Sequence, residues 1–183
     1  PKLIASLDRA IAFCNDSLKF GRAEEAAPRR ELMRLRPMVE EIGEGFGLPR
    51  EGVVEWRIDI EDVLRIDADR EHLFRIMSNL VRNAVQAIEG QEDRISPGLV
   101  QVRAWRDGRK VSIEVRDDGP GVPMKARENL FRAFQGGTRK GGTGLGLAIV
   151  AELVAAHGGR LMLLETESGA AFLIELPDRS THA

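Results

Sequence analysis

One segment limits what this chain can fold into more than any other: a long helix that Asp67 or Asp69 can cap and that runs to about Glu89. Leu73, Phe74, Ile76, Met77, Leu80, Val81, Ala84, Val85 and Ile88 make most of its circumference apolar, so it needs a second layer of structure to cover it. Its polar residues are ordered. His72, Arg75, Asn79, Asn83 and Gln86 are spaced three, four, four and three, and therefore line one face. Such a stripe is commonly the wet side of an amphipathic helix. Two asparagines in mid-helix argue for more, because Asn is a poor helix former whose amide competes for backbone hydrogen bonds. A solvated face is built more simply from Glu or Lys. An amide oxygen is a hard donor suited to Mg2+, which keeps several waters and takes further oxygens from phosphates.

The segments around this helix supply the second layer. Glu31-Leu32-Met33-Arg34-Leu35 reads as a short strand, and Pro37 suits the first residue of a helix ending near Gly47. Trp56, Ile58 and Ile60 alternate with Arg57 and Asp59 as in a strand, and Val63-Leu64-Arg65-Ile66 reads as a second. Two further alternating runs, residues 100–105 and 110–115, flank Asp107-Gly108, a hairpin signal. A short helix is expected over residues 124–131, and another over residues 147–157 ending on Gly158-Gly159. Two strands are expected around Ser168-Gly169. The sum is an α+β chain: a two-layer α/β sandwich with a mixed, mostly antiparallel sheet and helices on one face, plus an N-terminal helix.

That N-terminal helix, residues 2–20, carries Ile4, Leu7, Ile11, Cys14 and Leu18 at heptad spacing. It reads either as the end of a dimerising helical hairpin or as one amphipathic helix packed on the domain. Residues 21–29 read as a linker, and Glu24, Glu25, Arg29 and Arg30 as solvated charges in and beside it. The expected organisation is therefore helix 1–20, linker 21–29, a domain over 30–177 and a tail over 178–183. Pro1 stands where an initiator Met would, which suggests a piece of a longer chain.

Composition excludes several classes. The 183 residues carry a net charge of −2, no footprint for nonspecific nucleic-acid binding. Apolar runs reach only four or five residues, too short for a bilayer span or a signal-peptide core. The single cysteine, Cys14, excludes an internal disulfide framework and a multi-cysteine zinc site. A reducing compartment, the cytoplasm, is expected.

Two more segments carry chemistry. Asp117-Asp118-Gly119-Pro120-Gly121 follows a strand directly. It is built of ordinary turn residues, yet a carboxylate at Asp117 accepts only. It suits the exocyclic amine of adenine and repels the carbonyl that guanine presents there. Gly119 and Gly121 would let the backbone approach the base closely. Gly141-Gly142-Thr143-Gly144-Leu145-Gly146 opens the helix at Leu147, and its freed amides and the helix N-terminus suit phosphate. It is neither a Walker loop, lacking Gly-Lys-Ser/Thr, nor a dinucleotide fingerprint. Residues 136–142 have the composition of a mobile lid, with Arg139 and Lys140 able to reach a polyphosphate.

In this order the motifs resemble the catalytic ATP-binding domain of two-component sensor histidine kinases, in the superfamily shared with gyrase, the heat-shock chaperone ATPases and MutL-type repair proteins. Asn79-Leu80-Val81-Arg82-Asn83-Ala84 resembles the N box, residues 117–121 the D-x-G-x-G box, and Phe131 and Phe134 the F box. Gly142-Thr143-Gly144-Leu145-Gly146 resembles the G-x-G-x-G box and Ser168-Gly169-Ala170-Ala171-Phe172 the final glycine box. The resemblance covers about residues 30–177 and implies a Bergerat-type fold. It implies that Asn83 ligates Mg2+, that Asn79 contacts phosphate or the metal shell, and that Asp117 reads adenine. Gln86, Gly119, Gly121, Val122, Phe131, Gly142, Thr143, Gly144, Leu145 and Gly146 complete the implied ATP contacts, with Arg139 and Lys140 neutralising phosphate charge.

The ATPases of this superfamily carry a Glu where this chain has Asn79, and that Glu activates the attacking water. Its absence implies a kinase that holds Mg·ATP for an acceptor. Rival readings are a nucleotide-independent phosphotransferase or scaffold, a hydrolytic ATPase, and a serine kinase of the same superfamily. The implied partners are ATP, the chain's own dimerisation and phosphoacceptor hairpin in a homodimer, and a response-regulator receiver domain; nucleic acid and membrane are not among them. None of His72, His157 and His182 sits in a phosphoacceptor context, and the family commonly has a His-Gly-Gly where His157 stands at a helix C-terminus. The 183-residue chain incubated with Mg·ATP is therefore expected to take up no phosphate; acid-labile phosphate on any of the three histidines would overturn this reading.

Overall fold

The computed structural model describes residues 27–91, 93–132 and 145–178. The heptad seam with Cys14, the pair Glu24-Glu25, His182, Phe134 and residues 133–144, including Arg139, Lys140, Gly142, Thr143 and Gly144, lie outside them. In chain order the elements are β1 (Glu31–Arg34), α1 (Leu35–Gly45), β2 (Val54–Ile60), β3 (Arg65–Ala68), α2 (Arg70–Glu89), β4 (Gly98–Asp107), β5 (Lys110–Asp117), α3 (Met124–Arg127), α4 (Gly146–Ala156), β6 (Arg160–Leu164) and β7 (Ala170–Pro177).

Five strands form one sheet in the order β2-β4-β5-β7-β6. Only the β2–β4 pair is parallel; the other three pairs are antiparallel, so the mixed, mostly antiparallel sandwich stands as expected. Strand alternation divides the sheet into two faces. Val100, Val102 and Ala104 of β4 and Val111, Ile113 and Val115 of β5 are buried, whereas Arg103 and Trp105 face outward. The inner face is covered by α2, whose Leu73, Ile76, Met77, Leu80 and Val81 are almost wholly buried. α1 packs against α2 and β2, and α4 against α2 and β6. Each such side chain contributes about 1.5–3 kcal/mol on leaving water. No described helix is long and apolar enough to cross a membrane.

Several local expectations shift. α1 begins at Leu35, so Pro37 stands third in the helix. The first-turn amides have no intrahelical acceptor, so a proline costs nothing there, and the Leu35 amide bonds Leu64 O at 3.2 Å. β3 lies two residues beyond its expected start. Residues 61–64 are taken up by a turn closed by Leu64 N to Glu61 O, leaving Val63 77% exposed. Its register is set by β1, with Arg34 opposite Arg65 and Glu31 opposite Ala68, in a separate two-stranded sheet. α3 is a single turn, shorter than the run to Phe131 expected from its pattern.

The two tryptophans take sheet positions as expected. Trp56 is half-buried, and a Cβ on Gly43 of α1 would come within 2.6 Å of its Nε1. Trp105 lies on the outer face beneath the Arg103 guanidinium, 5.9 Å from its ring centroid.

Two turns join the strands through left-handed glycines, Gly108 (φ 57°) in the β4–β5 hairpin and Gly169 (φ 71°) before β7. They differ in surroundings. A Cβ on Gly108 would meet nothing within 4 Å, whereas one on Gly169 would lie 1.8 Å from the Asp117 carbonyl oxygen. Gly108→Ala is expected to cost only the left-handed backbone, about 1–2 kcal/mol. Gly169→Ala adds about 1–3 kcal/mol for displacing the Asp117 backbone. Urea unfolding of both variants checks this, and equal losses would contradict it.

Candidate functional site

α2 is capped by Asp69, whose Oδ1 accepts from the His72 amide at 3.0 Å; Asp67 is not the cap. From that start the polar stripe runs the length of the helix, but it is not a wet face throughout. His72 is buried and meets the His157 ring edge-on at 5.5 Å. Asn79 and Asn83 are half-buried, and Gln86 is exposed. The Asn79 amide group donates back to Arg75 O at 2.8 Å, which turns Oδ1 toward the start of α4. A Cβ on Gly146 would lie 3.1 Å from Asn79 Oδ1 and 4.0 Å from Asn83 Oδ1. The glycine thus lets the N-terminus of α4 settle onto both asparagine oxygens.

Asp117 closes β5 on the inner face, 5% exposed, its Oδ1 accepting from the Gly119 amide at 2.9 Å. The glycines after it pack within the chain. A Cβ on Gly119 would come within 3.1 Å of the Ala87 Cβ on α2, one turn beyond Asn83; one on Gly121 would lie 2.8 Å from Gly169 O. The Asp117 turn and the Ser168-Gly169 turn therefore interlock, although about fifty residues separate them. Val122 and Phe131 are half-buried against the core. Leu145 is wholly buried, so its side chain is a core anchor and offers a ligand no surface. Among the described residues no group of three or more His, Cys, Asp or Glu is placed to hold a metal.

Sequence reasoning missed what holds the site's helices together. Arg30, expected to be solvated, is only 11% exposed in its side chain. Its guanidinium bonds the carbonyl of His157, at the end of α4, and that of Pro177 at the end of β7, and faces Asp67 at 4.0 Å. The Arg29 amide bonds Asp69 Oδ2 at 2.8 Å. Asp178, expected to begin the tail, is buried and paired with Arg106. No local signal marks these residues, because each acts across more than thirty positions.

His157 is the hub. Its Nε2 accepts from the Asp69 amide at 3.1 Å, so the proton sits on Nδ1, which faces Leu153 O at 2.8 Å. It is a neutral crosslink rather than a cation for the helix dipole. Burial pushes its pKa down, aided by Arg30 and His72, against the opposing bond to Leu153 and the charge of Asp69. For Asp69, burial works upward, but the hydrogen bonds from the His72 and Arg29 amides outweigh it and hold the carboxyl below its usual range.

The family described as "Histidine kinase-, DNA gyrase B-, and HSP90-like ATPase" matches residues 68–180. The alginate biosynthesis sensor protein KinB of Pseudomonas aeruginosa is 31% identical over 179 residues, 93% of this chain and 29% of that protein. The chain thus spans less than a third of that relative. The catalytic domain of the histidine kinase ThkA superposes with a TM-score of 0.70 at 26% identity, covering 82% of this chain and 98% of that one. Full-length ShkA, solved in complex with AMPPNP, gives a TM-score of 0.76 at 33% identity, over 95% of this chain and 37% of that one.

Asp69 and His157 both lie inside the matched residues, and their bond makes stability depend on pH. The folded chain keeps His157 neutral where the unfolded imidazole takes a proton, so stability is complete above about pH 6.5 and falls as pH drops toward the lowered folded value. The slope this group adds is at most about 1.4 kcal/mol per pH unit. Urea midpoints at pH 7.5, 6.5 and 5.5 are expected to fall more steeply for the natural chain than for His157→Gln; equal slopes would refute the assignment.

Proposed function

The chain belongs to the histidine kinase-, DNA gyrase B- and HSP90-like ATPase family and is a histidine-kinase ATP-binding catalytic domain, and from that premise we propose how its residues serve the reaction. The observation that carries the reading is the meeting of Asn79 and Asn83 with Gly146 at the middle of α2, one to two turns from the contact of Ala87 with the Asp117 turn. Adenine binds at Asp117, whose carboxylate accepts from the exocyclic amine and rejects guanine. The triphosphate then runs along the asparagine face toward the amides at the start of α4. Val122, Phe131 and Gln86 flank the nucleotide. Gly142, Thr143, Gly144, Arg139 and Lys140 complete the phosphate contacts.

The donor set around Asn79 and Asn83 fits Mg2+: two neutral amide oxygens converge, and a bound metal would take its other oxygens from phosphate and water. The metal, when bound, neutralises charge on the transferred group. Asn83 would hold it and Asn79 would orient the phosphates. With an amide at Asn79 in place of a general base, no group on this face activates water, so the nucleotide waits for its acceptor. The γ-phosphoryl passes to an imidazole nitrogen on a dimerisation helix, its bond to ADP breaking as the N–P bond forms, and from there to an Asp of a response-regulator receiver domain. The working assembly is a homodimer acting in the cytoplasm. His72 and His157, buried against each other, are not acceptors.

Calorimetry with a non-hydrolysable ATP analogue tests the site. Binding is expected to favour ATP over the GTP analogue, and to weaken at least about tenfold without Mg2+ or in Asn83→Ala. Binding indifferent to both would remove Asn83 from the metal. No binding would favour a nucleotide-independent scaffold.

A further inference from the structure

Arg94 lies in the loop between α2 and β4, on no element of the site, yet all five of its guanidinium N–H groups are engaged. Nε donates to Ser96 O at 2.9 Å, Nη1 to Gln91 Oε1 at 2.8 Å and Asp118 O at 3.2 Å, and Nη2 to Asp118 Oδ2 at 2.6 Å and Pro97 O at 3.3 Å. Its side chain is 19% exposed, so these are partly desolvated, charge-assisted bonds. Asp118 is held from the other side as well. Its Oδ1 accepts from the Leu99 amide at 2.8 Å, and its own amide donates to Leu99 O at 3.2 Å.

These bonds close a ring. α2 leads through its C-terminal loop to Arg94, Arg94 grips Asp118, and Asp118 is bonded to Asp117. Asp117 holds the Gly119 amide, and Gly119 rests back on Ala87 of α2. Adjacent residues at a strand end point to opposite faces, so Arg94 grips the outer side of the turn whose inner side carries the Asp117 carboxylate. We infer that Arg94 is a positioning residue for base recognition: through Asp118 it sets where the Asp117 carboxylate stands relative to the asparagine face of α2. The inference rests on the proposed reading of Asp117 as the adenine contact. Only an arginine fork reaches five acceptors at once; a lysine has three donors on a single point.

The test uses the whole 183-residue chain. ATP-analogue and GTP-analogue affinities are measured by calorimetry, with thermal melts, for Arg94→Met, Arg94→Lys, Asp118→Asn, Asp117→Asn and the Arg94→Met/Asp117→Asn pair. Arg94→Met is expected to weaken the ATP analogue about tenfold, the factor carried by one charged hydrogen bond. It is also expected to narrow the preference for ATP over GTP. Arg94→Lys restores little of either, and Asp118→Asn moves both in the same direction. In the Asp117→Asn background the effect of Arg94→Met shrinks, since both act on one carboxylate. A lowered melting temperature with ATP affinity and base preference intact would make Arg94 a loop clamp only and overturn the inference. Should Arg94→Met not fold, Arg94→Lys and Asp118→Asn decide by the same two readouts. If Asp117→Asn leaves base preference unchanged, the adenine reading fails; if it abolishes the preference while Arg94 and Asp118 variants keep it, the positioning role alone fails.

Discussion

The bond from the Asp69 amide to His157 Nε2 joins the residue that caps the start of α2 to the residue that caps the end of α4. Around it, Asp69 takes the amides of His72 and Arg29, and Arg30 grips the His157 carbonyl. Few groups are involved, but they sit where helices leave their backbone groups unsatisfied, and a buried unpaired donor or acceptor costs about 1–3 kcal/mol. With both helix ends locked in one network, α2 and α4 hold a fixed relation, and the asparagine face meets Gly146 because of it. The segment that enters the domain at Arg29 and Arg30 is part of the same network, so the chain's path into the domain and the geometry of its site are not independent.

At the other end of the site, glycines do the locating by being small. Gly169 lies against the Asp117 backbone, Gly121 against Gly169, Gly119 against Ala87, and Gly146 against two asparagine oxygens. Read as a string, these glycines suggest room for a base or a phosphate. In the folded chain each first makes room for another part of the protein.

How much could be read in advance varies with the range of the interaction. The period of α2, the Asp107-Gly108 hairpin, the alternation of β4 and β5 and the order of the motifs were all legible, since neighbours within a few residues produce them. The start of β3 was not: its own pattern fits residues 63–66, but a turn consumes Val63 and β1 sets the pairing. His72 belonged to a stripe that looked solvent-facing until His157 covered it. Arg30 resembled an ordinary solvated charge beside a linker, and Leu145 a nucleotide contact in a glycine box rather than a core residue.

The sequence by itself determined the α+β character of this protein, the amphipathic helix with two mid-helix asparagines, and the ordered boxes that mark its family. Those follow from local periodicity and from residue types whose backbone freedom or hydrogen-bonding capacity is intrinsic. Only the tertiary structure decided which aspartate caps α2, which tautomer His157 adopts, why Gly146 and Gly169 admit no side chain, and that Arg94 braces Asp118. The tautomer, the two glycines and the Arg94 brace each depend on a partner 24 to 88 residues away, and such partners are chosen by the packing of whole layers, not by any pattern in the neighbouring sequence.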